Sequence, residues 1–201
     1  MELILASGSP RRKDILSKNN IAFKVIKAEN DGESDKKEIG EYVSELSANK
    51  AMEVFEKLDD SFEGVVLGAD TVVAKDGRIL GKPKDRAEAA EMIKAISGTD
   101  HSVFTGVTVC VKTCNETVVK SIYDETKVFV KPLSGSEITE YVNTGEGDDK
   151  AGAYAIQGIF GKYIDRIEGD FDNVVGLPYY RLKELFESAG VCIDDFTVNN
   201  I

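Results

Sequence analysis

One carboxylate stands inside an apolar run of the sequence, where its presence needs a chemical explanation. Asp70 lies within "VVLGADTVV", a stretch whose apolar residues are typical of a buried strand. An unpaired carboxylate buried there would cost several kcal/mol or become neutral. A metal ion, a lysine partner or a place at the exposed carboxyl end of the strand would remove that cost. In the alternative, purely structural interpretation, Gly68 marks a bend and Asp70 caps a turn into Thr71.

A lysine occupies the middle of an apolar helix face. Residues 37–58 are typical of a long helix, and its apolar residues recur at helical spacing, namely Ile39, Val43, Leu46, Val54 and Leu58. Lys50 falls between Leu46 and Val54 on that face. Its ammonium group must therefore either extend outward to solvent or reach a buried anion.

Two arginines follow directly on a predicted helix start. In "ILASGSPRRKDIL", residues 4–6 are typical of the end of a buried strand. Ser9 is a good N-cap and Pro10 suits the first helical position, so the segment predicts a strand, a tight loop and a helix. A helix start stabilises anions and disfavours cations. Arg11 and Arg12 therefore indicate a bound anion, and an exposed basic pair is the alternative.

Other charged segments could bind phosphate or a metal ion. Lys82 and Lys84 lie in "GKPKD", which Pro83 holds extended. The acidic loop "ENDGESD", residues 29–35, offers carboxylates that suit hard cations such as Mg²⁺ and Mn²⁺, which also favour phosphate oxygens. A solvated lysine pair and a solvated acidic loop are the structural alternatives.

The composition excludes several classes of function. The chain has 201 residues, enough for a hydrophobic core, and a net charge of −11, which argues against a general nucleic-acid binder. No apolar run approaches the length of a membrane span, and the start of the chain lacks a signal-peptide layout. Three cysteines without metal-type spacing predict buried free thiols and a reducing, cytoplasmic location. With His101 as the only histidine, catalysis must rest on carboxylates, lysines, arginines or a bound cation.

The elements that would position these side chains alternate between strand and helix. A glycine-rich loop, "TGEGDDKAGAYAIQG", leads into a predicted last strand near residues 162–168. The other main elements are strands near residues 2–6 and 22–27, helices near 10–19, 37–58, 85–96 and 178–189, and a long hairpin turning at 115–116. This order predicts a mixed-sheet α/β protein with no linker that divides it.

The residues fit one chemistry in particular. A phosphate-binding helix start, a buried carboxylate and a lysine-rich, histidine-poor composition suit metal-assisted attack of water on a phosphate ester or anhydride. Three well-known signatures are absent from the sequence, namely the G-x-x-x-x-G-K-[ST] loop, G-x-G-x-x-G after the first strand, and the G-x-S-x-G elbow.

Seven short motifs span nearly the whole chain. In order, they are "LASGSPRR", "NKA", "GADTVV", "GKP", "SGTDHSVFTGV", "DKAGAYAIQG" and "GDFDNVVGLP". Together they resemble the Maf (septum formation) family of nucleoside triphosphate pyrophosphatases, and seven ordered motifs are far more specific than any one of them. The resemblance implies a single α/β domain over residues 1–201, with a bent mixed sheet flanked by helices and a cleft between two lobes.

The resemblance also implies a reaction, a cofactor and functional residues. The expected reaction is hydrolysis between the α- and β-phosphates of a nucleoside triphosphate with Mg²⁺, Mn²⁺ or a similar ion, often in a homodimer. By motif, Asp70 would accept the proton of the attacking water. Glu33 or Asp31 would bind the metal together with Asp70. The residues expected to hold the triphosphate are Ser7, Arg11, Arg12, Lys50 and Lys82.

Three residues, Arg11, Thr71 and Gln157, fall where the family's specificity positions lie. The amide of Gln157 can accept from N3–H of uracil or thymine while it donates to a neighbouring carbonyl. Neutral 7-methylguanine presents two donors on that edge, which a carboxylate would complement better. The sequence therefore predicts dTTP, UTP and modified pyrimidine nucleotides as substrates. A 7-methyl-GTP pyrophosphatase and a nucleotide-binding regulator of cell division without turnover are the alternatives.

Overall fold

The computed structural model describes residues 1–30 and 32–198. Its strands are β1 (Glu2–Leu5), β2 (Lys24–Val25), β3 (Gly64–Lys75), β4 (Arg78–Leu80), β5 (Asp100–Lys112), β6 (Thr117–Val130) and β7 (Ile164–Glu168). Its α-helices are α1 (Pro10–Lys18), α2 (Ile39–Phe55), α3 (Arg86–Ile96), α4 (Gly135–Asn143), α5 (Phe171–Val175) and α6 (Tyr179–Ser188). Short 3-10 helices cover Ala151–Ala153, Ile159–Tyr163 and Ile193–Phe196.

In the described part of the chain, the seven strands form one mixed, open sheet. The strand order is β2-β1-β3-β5-β6-β7, and β4 pairs with β3 beside this path. β1 runs parallel to both neighbours, with Leu5 opposite Val25 on β2 and opposite Leu67 on β3. β4 and β7 are antiparallel to their partners. The predicted α/β class with a mixed sheet is confirmed.

The described residues group into two compact units. The first comprises Met1–Asp70, Thr105–Asp124 and the segment from Gly176 on, and the second comprises Thr71–Phe104 and Glu125–Val175. The chain therefore re-enters the first unit twice and the second unit once. That residues 1–201 form a single domain stays a prediction.

In the first unit, α2 lies against the sheet through backbone contacts. A Cβ atom added at Gly68 of β3 would lie 2.3 Å from the backbone oxygen of Ser47, and one added at Gly106 of β5 would lie 2.1 Å from that of Val43. Because only glycine permits so close an approach, the two glycines fix where α2 crosses the sheet. The helix then buries a set of apolar side chains against β1 and β3, namely Ile4, Ala6, Ala28, Ala51, Val54, Val66 and Cys110.

The second unit has a core rich in aromatic residues. α3 and α4 contribute Ile93, Ile96 and Tyr141, all nearly inaccessible to solvent. Phe160 is fully buried, and its ring lies 4.9 Å from the rings of both Tyr141 and Tyr154. Aromatic contacts of this kind add to the free energy gained from burial alone.

Two expectations about composition can be compared with the structure. No helix in the described residues is long and apolar enough to cross a membrane. All three cysteines are free, but only Cys110 is buried, while Cys114 and Cys192 are exposed. The prediction of buried thiols is therefore wrong for two of them, because Cys114 lies beyond the end of β5 and Cys192 precedes a surface 3-10 helix.

Candidate active site

The close approach of α2 to β3 brings together Lys50 and Asp70, the two charged residues that lie within apolar patterns of the sequence. Gly68 and Asp70 are two residues apart in β3, so they face the same side of the sheet. Lys50 lies about one helical turn after Ser47, the residue that contacts Gly68. The close packing that Gly68 permits therefore places Lys50 next to Asp70.

Lys50 and Asp70 form an ion pair. Nζ of Lys50 donates to Oδ1 of Asp70 at 2.6 Å, and the two side chains are only 13% and 15% exposed. The sequence allowed several partners for these two charges. In the structure, Asp70 has a lysine partner and Lys50 has an anionic partner. The turn-cap alternative is wrong, because Asp70 lies in the middle of β3. Partly buried charges of this kind are costly to separate, so the pair holds both groups in place.

Arg12 adds a second cation to this site. Its Nε donates to the backbone oxygen of Gly176 at 2.8 Å, and its Nη1 donates to Oγ of the buried Ser7 at 2.9 Å. Burial lowers the pKa of Arg12 to about 10, and the charge of Asp70 opposes that fall. Arg12 therefore stays protonated at neutral pH and lies within electrostatic reach of Asp70.

The start of α1 differs in one detail from the sequence prediction. Pro10 takes the first helical position as predicted, and Ser9 stands at the N-cap. The predicted N-cap position of Ser9 is confirmed, but its hydroxyl makes no capping hydrogen bond within the described chain. The backbone N–H of Ser9 donates to Oγ of Ser7 at 3.3 Å. Arg11 is partly exposed in the first turn, where backbone N–H groups and basic side chains together can stabilise an anion.

Lys82 and Gln157 belong to the second unit, and both are exposed. Lys82 is the second residue after β4, and the carbonyl of the preceding residue, Gly81, accepts from the N–H of Gly152 at 3.0 Å. This hydrogen bond ties the "GKP" segment to the glycine-rich loop that carries Gln157.

The loop around Gln157 is anchored at both ends. The two carboxylate oxygens of Glu146 accept from the backbone N–H groups of Ile159 at 2.6 Å and Phe160 at 3.1 Å. Tyr154 and Phe160 are buried on either side of Gln157. The exposed amide is thus presented from a fixed loop. The anchoring role of Glu146 could not be predicted from the sequence, because nothing in the glycine-rich loop distinguishes it from the neighbouring Asp148 and Asp149.

The single histidine supports the same loop. Nε2 of His101 lies 2.7 Å from the hydroxyl of Tyr154, and His101 is only 2% exposed. Burial, with a smaller contribution from the charge of Lys75, lowers the pKa of His101 to about 4. The imidazole is therefore neutral at pH 7 and holds Tyr154 by a hydrogen bond.

The predicted metal ligands fit a site of few protein donors. Asp70 is partly buried and Glu33 is exposed, while Asp31 lies outside the described residues. Within residues 1–30 and 32–198, no group of three or more His, Cys, Asp or Glu side chains is arranged to hold a metal ion. Mg²⁺ is usually held in phosphate-binding sites by one or two carboxylates, water and the substrate's phosphates. The carboxylate of Asp70, beside Lys50 and within electrostatic reach of Arg12, fits that chemistry.

The structure brings together part of the predicted set. Ser7, Arg12, Lys50 and Asp70 gather in the first unit through the contacts described above. Thr71 follows Asp70 in β3 and is partly buried. The roles of the individual residues stay predictions.

An open α/β sheet with a paired carboxylate and two cations beside a helix start defines a class of α/β proteins suited to phosphorylated ligands. Residues 2–189 match the family described as Maf-like protein, and the chain belongs to that family. It is 47% identical over 187 residues to a dTTP/UTP pyrophosphatase of Thermoanaerobacter sp. (strain X514), covering 93% of this chain and 96% of the relative. Similar proteins with the same name occur in Koribacter versatilis, at 43% identity over 95% of this chain and 96% of the relative, and in Clostridium perfringens, at 40% over 96% and 100%.

Proposed function

We propose that this protein is a pyrophosphatase that hydrolyses dTTP and UTP to the monophosphate and pyrophosphate. The observation that carries the proposal is the Lys50–Asp70 ion pair with Arg12 beside it, which places a carboxylate among cations at a helix start. Membership of the Maf family and the names of the relatives support the same reaction.

Each residue has a distinct task in this proposal. Asp70 accepts a proton from the water that cleaves the anhydride, a role that typically contributes about 10²- to 10⁴-fold to the rate. The cations neutralise the negative charge of the triphosphate, with Ser7 as a hydrogen-bonding partner; they are Arg11, Arg12, Lys50 and Lys82. Because Lys50 and Arg12 are held in advance by Asp70, Ser7 and Gly176, they need little reorganisation when the phosphates bind.

A divalent cation, Mg²⁺ or Mn²⁺, belongs to the proposal. Asp70 would hold it together with Glu33 or Asp31, and its charge would stabilise the phosphate oxygens. The proposal also places the enzyme in the cytoplasm, acting on free nucleotides rather than on nucleic acid or a membrane. The homodimer implied by the resemblance stays a prediction that light scattering can check.

Base choice is assigned to Gln157, with Arg11 and Thr71 at the other specificity positions. The anchored loop described above supports this role, because it presents the exposed amide from a fixed backbone, and a base that cannot pair with the amide would leave polar groups unpaired once bound. Modified pyrimidine nucleotides that keep the uracil or thymine edge fit the same amide.

A panel of nucleoside triphosphates tests the proposal by pyrophosphate release with and without Mn²⁺. We expect dTTP and UTP to be hydrolysed in preference to purine triphosphates and 7-methyl-GTP. Asp70→Asn should lose about 10²- to 10⁴-fold in turnover while keeping nucleotide affinity. Asp76→Asn is the matched control, because Asp76 is exposed in the turn after β3. Efficient turnover of 7-methyl-GTP alone would favour that alternative. Binding without turnover by the parent protein would favour the regulator.

A further inference from the structure

Described residues of the acidic loop, on both sides of position 31, are hydrogen-bonded to α2. Three polar residues of α2 contact it, namely Glu45, Asn49 and Glu53. They recur every four residues, so they project from one face of the helix. We call these three residues the α2 ladder.

Glu53 holds the beginning of the loop. Its two carboxylate oxygens accept from the backbone N–H groups of Glu29 at 3.0 Å and Asn30 at 3.1 Å. Nζ of Lys57 donates to the same carboxylate at 2.9 Å and lies 3.4 Å from the carboxylate of Glu29. These three donors lower the pKa of Glu53 to about 2, so the acceptor is ionised throughout the working range of pH.

Asn49 and Glu45 hold the later part of the loop. Nδ2 of Asn49 donates to the backbone oxygen of Glu33 at 3.1 Å. Gly32 has a φ of +76°, and a Cβ atom there would lie 3.1 Å from the side chain of Asn49, so glycine allows the loop to approach the helix. Oγ of Ser34 donates to Glu45 at 2.5 Å. The loop therefore runs antiparallel to α2 along the ladder.

The middle residue of the ladder is next to the ion pair in sequence. Asn49, which holds the backbone of Glu33, immediately precedes Lys50, and Lys50 is bonded to Asp70. Fixing the backbone of Glu33 at Asn49 therefore limits how far its carboxylate can move from this part of α2.

We propose that Glu45, Asn49 and Glu53 are positioning residues, which hold the acidic loop against α2 so that Glu33 can serve the divalent cation used with Asp70. This inference rests on the proposed function. None of the three is assigned to substrate or metal. Residues that orient metal-binding groups in this way typically change metal affinity or activity by about 10- to 100-fold.

Glu53→Gln tests the ladder residue that accepts three hydrogen bonds. The substitution keeps the size of the side chain but replaces one acceptor by an amide NH₂ that faces a backbone N–H. We expect hydrogen exchange at the amides of Glu29 and Asn30 to accelerate about tenfold or more. The Mn²⁺ concentration for half-maximal activity, and the dissociation constant of Mn²⁺ for the nucleotide-free protein, should both rise about 10-fold. At saturating Mn²⁺, kcat should return to near the parent value.

Two more variants complete the design. Asn49→Ala releases the backbone of Glu33 and should raise the Mn²⁺ requirement in the same way. Glu56→Gln is the control, because Glu56 is an exposed acid at the end of the same helix, outside the ladder. It should match the parent in exchange, Mn²⁺ affinity and thermal midpoint.

The outcomes separate this inference from the proposed function. Glu53→Gln could show faster hydrogen exchange but unchanged Mn²⁺ affinity. The ladder would then hold the loop without affecting the cation, and the inference would be overturned. Unchanged exchange at Glu29 and Asn30 would overturn it as well. A parent protein that releases no pyrophosphate would refute the proposed function, while exchange and direct Mn²⁺ binding would still test the ladder.

Discussion

Gly68→Ala is the substitution whose effect follows most directly from the packing of α2 on β3. The added Cβ would lie 2.3 Å from the backbone oxygen of Ser47 and 2.8 Å from both the backbone nitrogen and the Cβ of Ala51. The neighbours on the helix are backbone or a rigid methyl group, so no flexible side chain can move aside. To reach an ordinary contact distance, α2 must shift away from β3 by about 1 Å.

The magnitude of the effect has two parts. Overpacking a well-packed contact costs about 1–3 kcal/mol in the free energy of unfolding. The shift also moves Lys50 away from Asp70, whose present separation is 2.6 Å. A displacement of about 1 Å in an active site can lower the rate by about 10²-fold. We therefore expect a folded enzyme with kcat/KM for dTTP reduced by about 10- to 100-fold.

Urea denaturation and a pyrophosphate-release assay measure the two parts separately. Gly135→Ala is the matched control, because a Cβ at Gly135 meets no atom within 4 Å and its backbone is not in the left-handed region. That variant should be as stable as the parent or slightly more so, with unchanged kcat/KM. If Gly68→Ala kept the stability and activity of Gly135→Ala, close packing would not be what sets Lys50 against Asp70.

The remaining predictions concern Gln157, to which we assign base choice in the proposal, and the buried His101. Gln157→Glu should lower kcat/KM for dTTP and UTP by about tenfold or more, because the carboxylate cannot donate to a pyrimidine carbonyl; equal losses on all nucleotides would refute a base-specific role. The folded-state pKa of His101, about 4, lies below its ordinary value of 6.5, so His101 contributes stability above pH 6.5 that is lost as the pH falls towards 4. The stability advantage of the parent over His101→Asn should therefore shrink by about 3 kcal/mol between pH 7 and pH 4 in urea titrations, and a constant difference would contradict burial as the cause.

The need for partners at Asp70 and Lys50 could be predicted from the sequence. Each of the two charged residues lies among apolar residues in the sequence. A buried charge has only a few arrangements of low free energy, and in each of them it is partnered or reaches solvent. That the two charges satisfy each other could not be predicted, because residues 20 positions apart meet only through the crossing point of α2 on the sheet. Gly68 was visible in the sequence, but its contact with Ser47 depends on that same crossing point.

Local patterns predicted some details and missed others. Pro10 starts α1 as its type predicts, whereas Ser9 takes the N-cap position without a side-chain capping hydrogen bond. The dipeptide Asp76-Gly77 is typical of a tight turn, and both residues take positive φ values. The three-residue strand β4 after it was missed, since so short a strand is defined by pairing with β3 rather than by its own pattern.

The sequence indicates the α2 ladder only weakly. Polar residues at 45, 49 and 53 repeat at helical spacing, a pattern equally typical of a solvated helix face. Only the path of the acidic loop distinguishes the two interpretations, and that path depends on Gly32 and on backbone contacts with side chains of α2.

The hydrogen bond from Arg12 to Gly176 joins residues 164 positions apart, and this has a consequence for synthesis. A nascent chain that ends before Gly176 lacks this acceptor, whereas β1, α1 and α2 have already been made. Closing so long a loop is costly in entropy before any contact rewards it, so this contact forms late in folding. The orientation of Arg12 is therefore completed only after residues far along the chain have been synthesised.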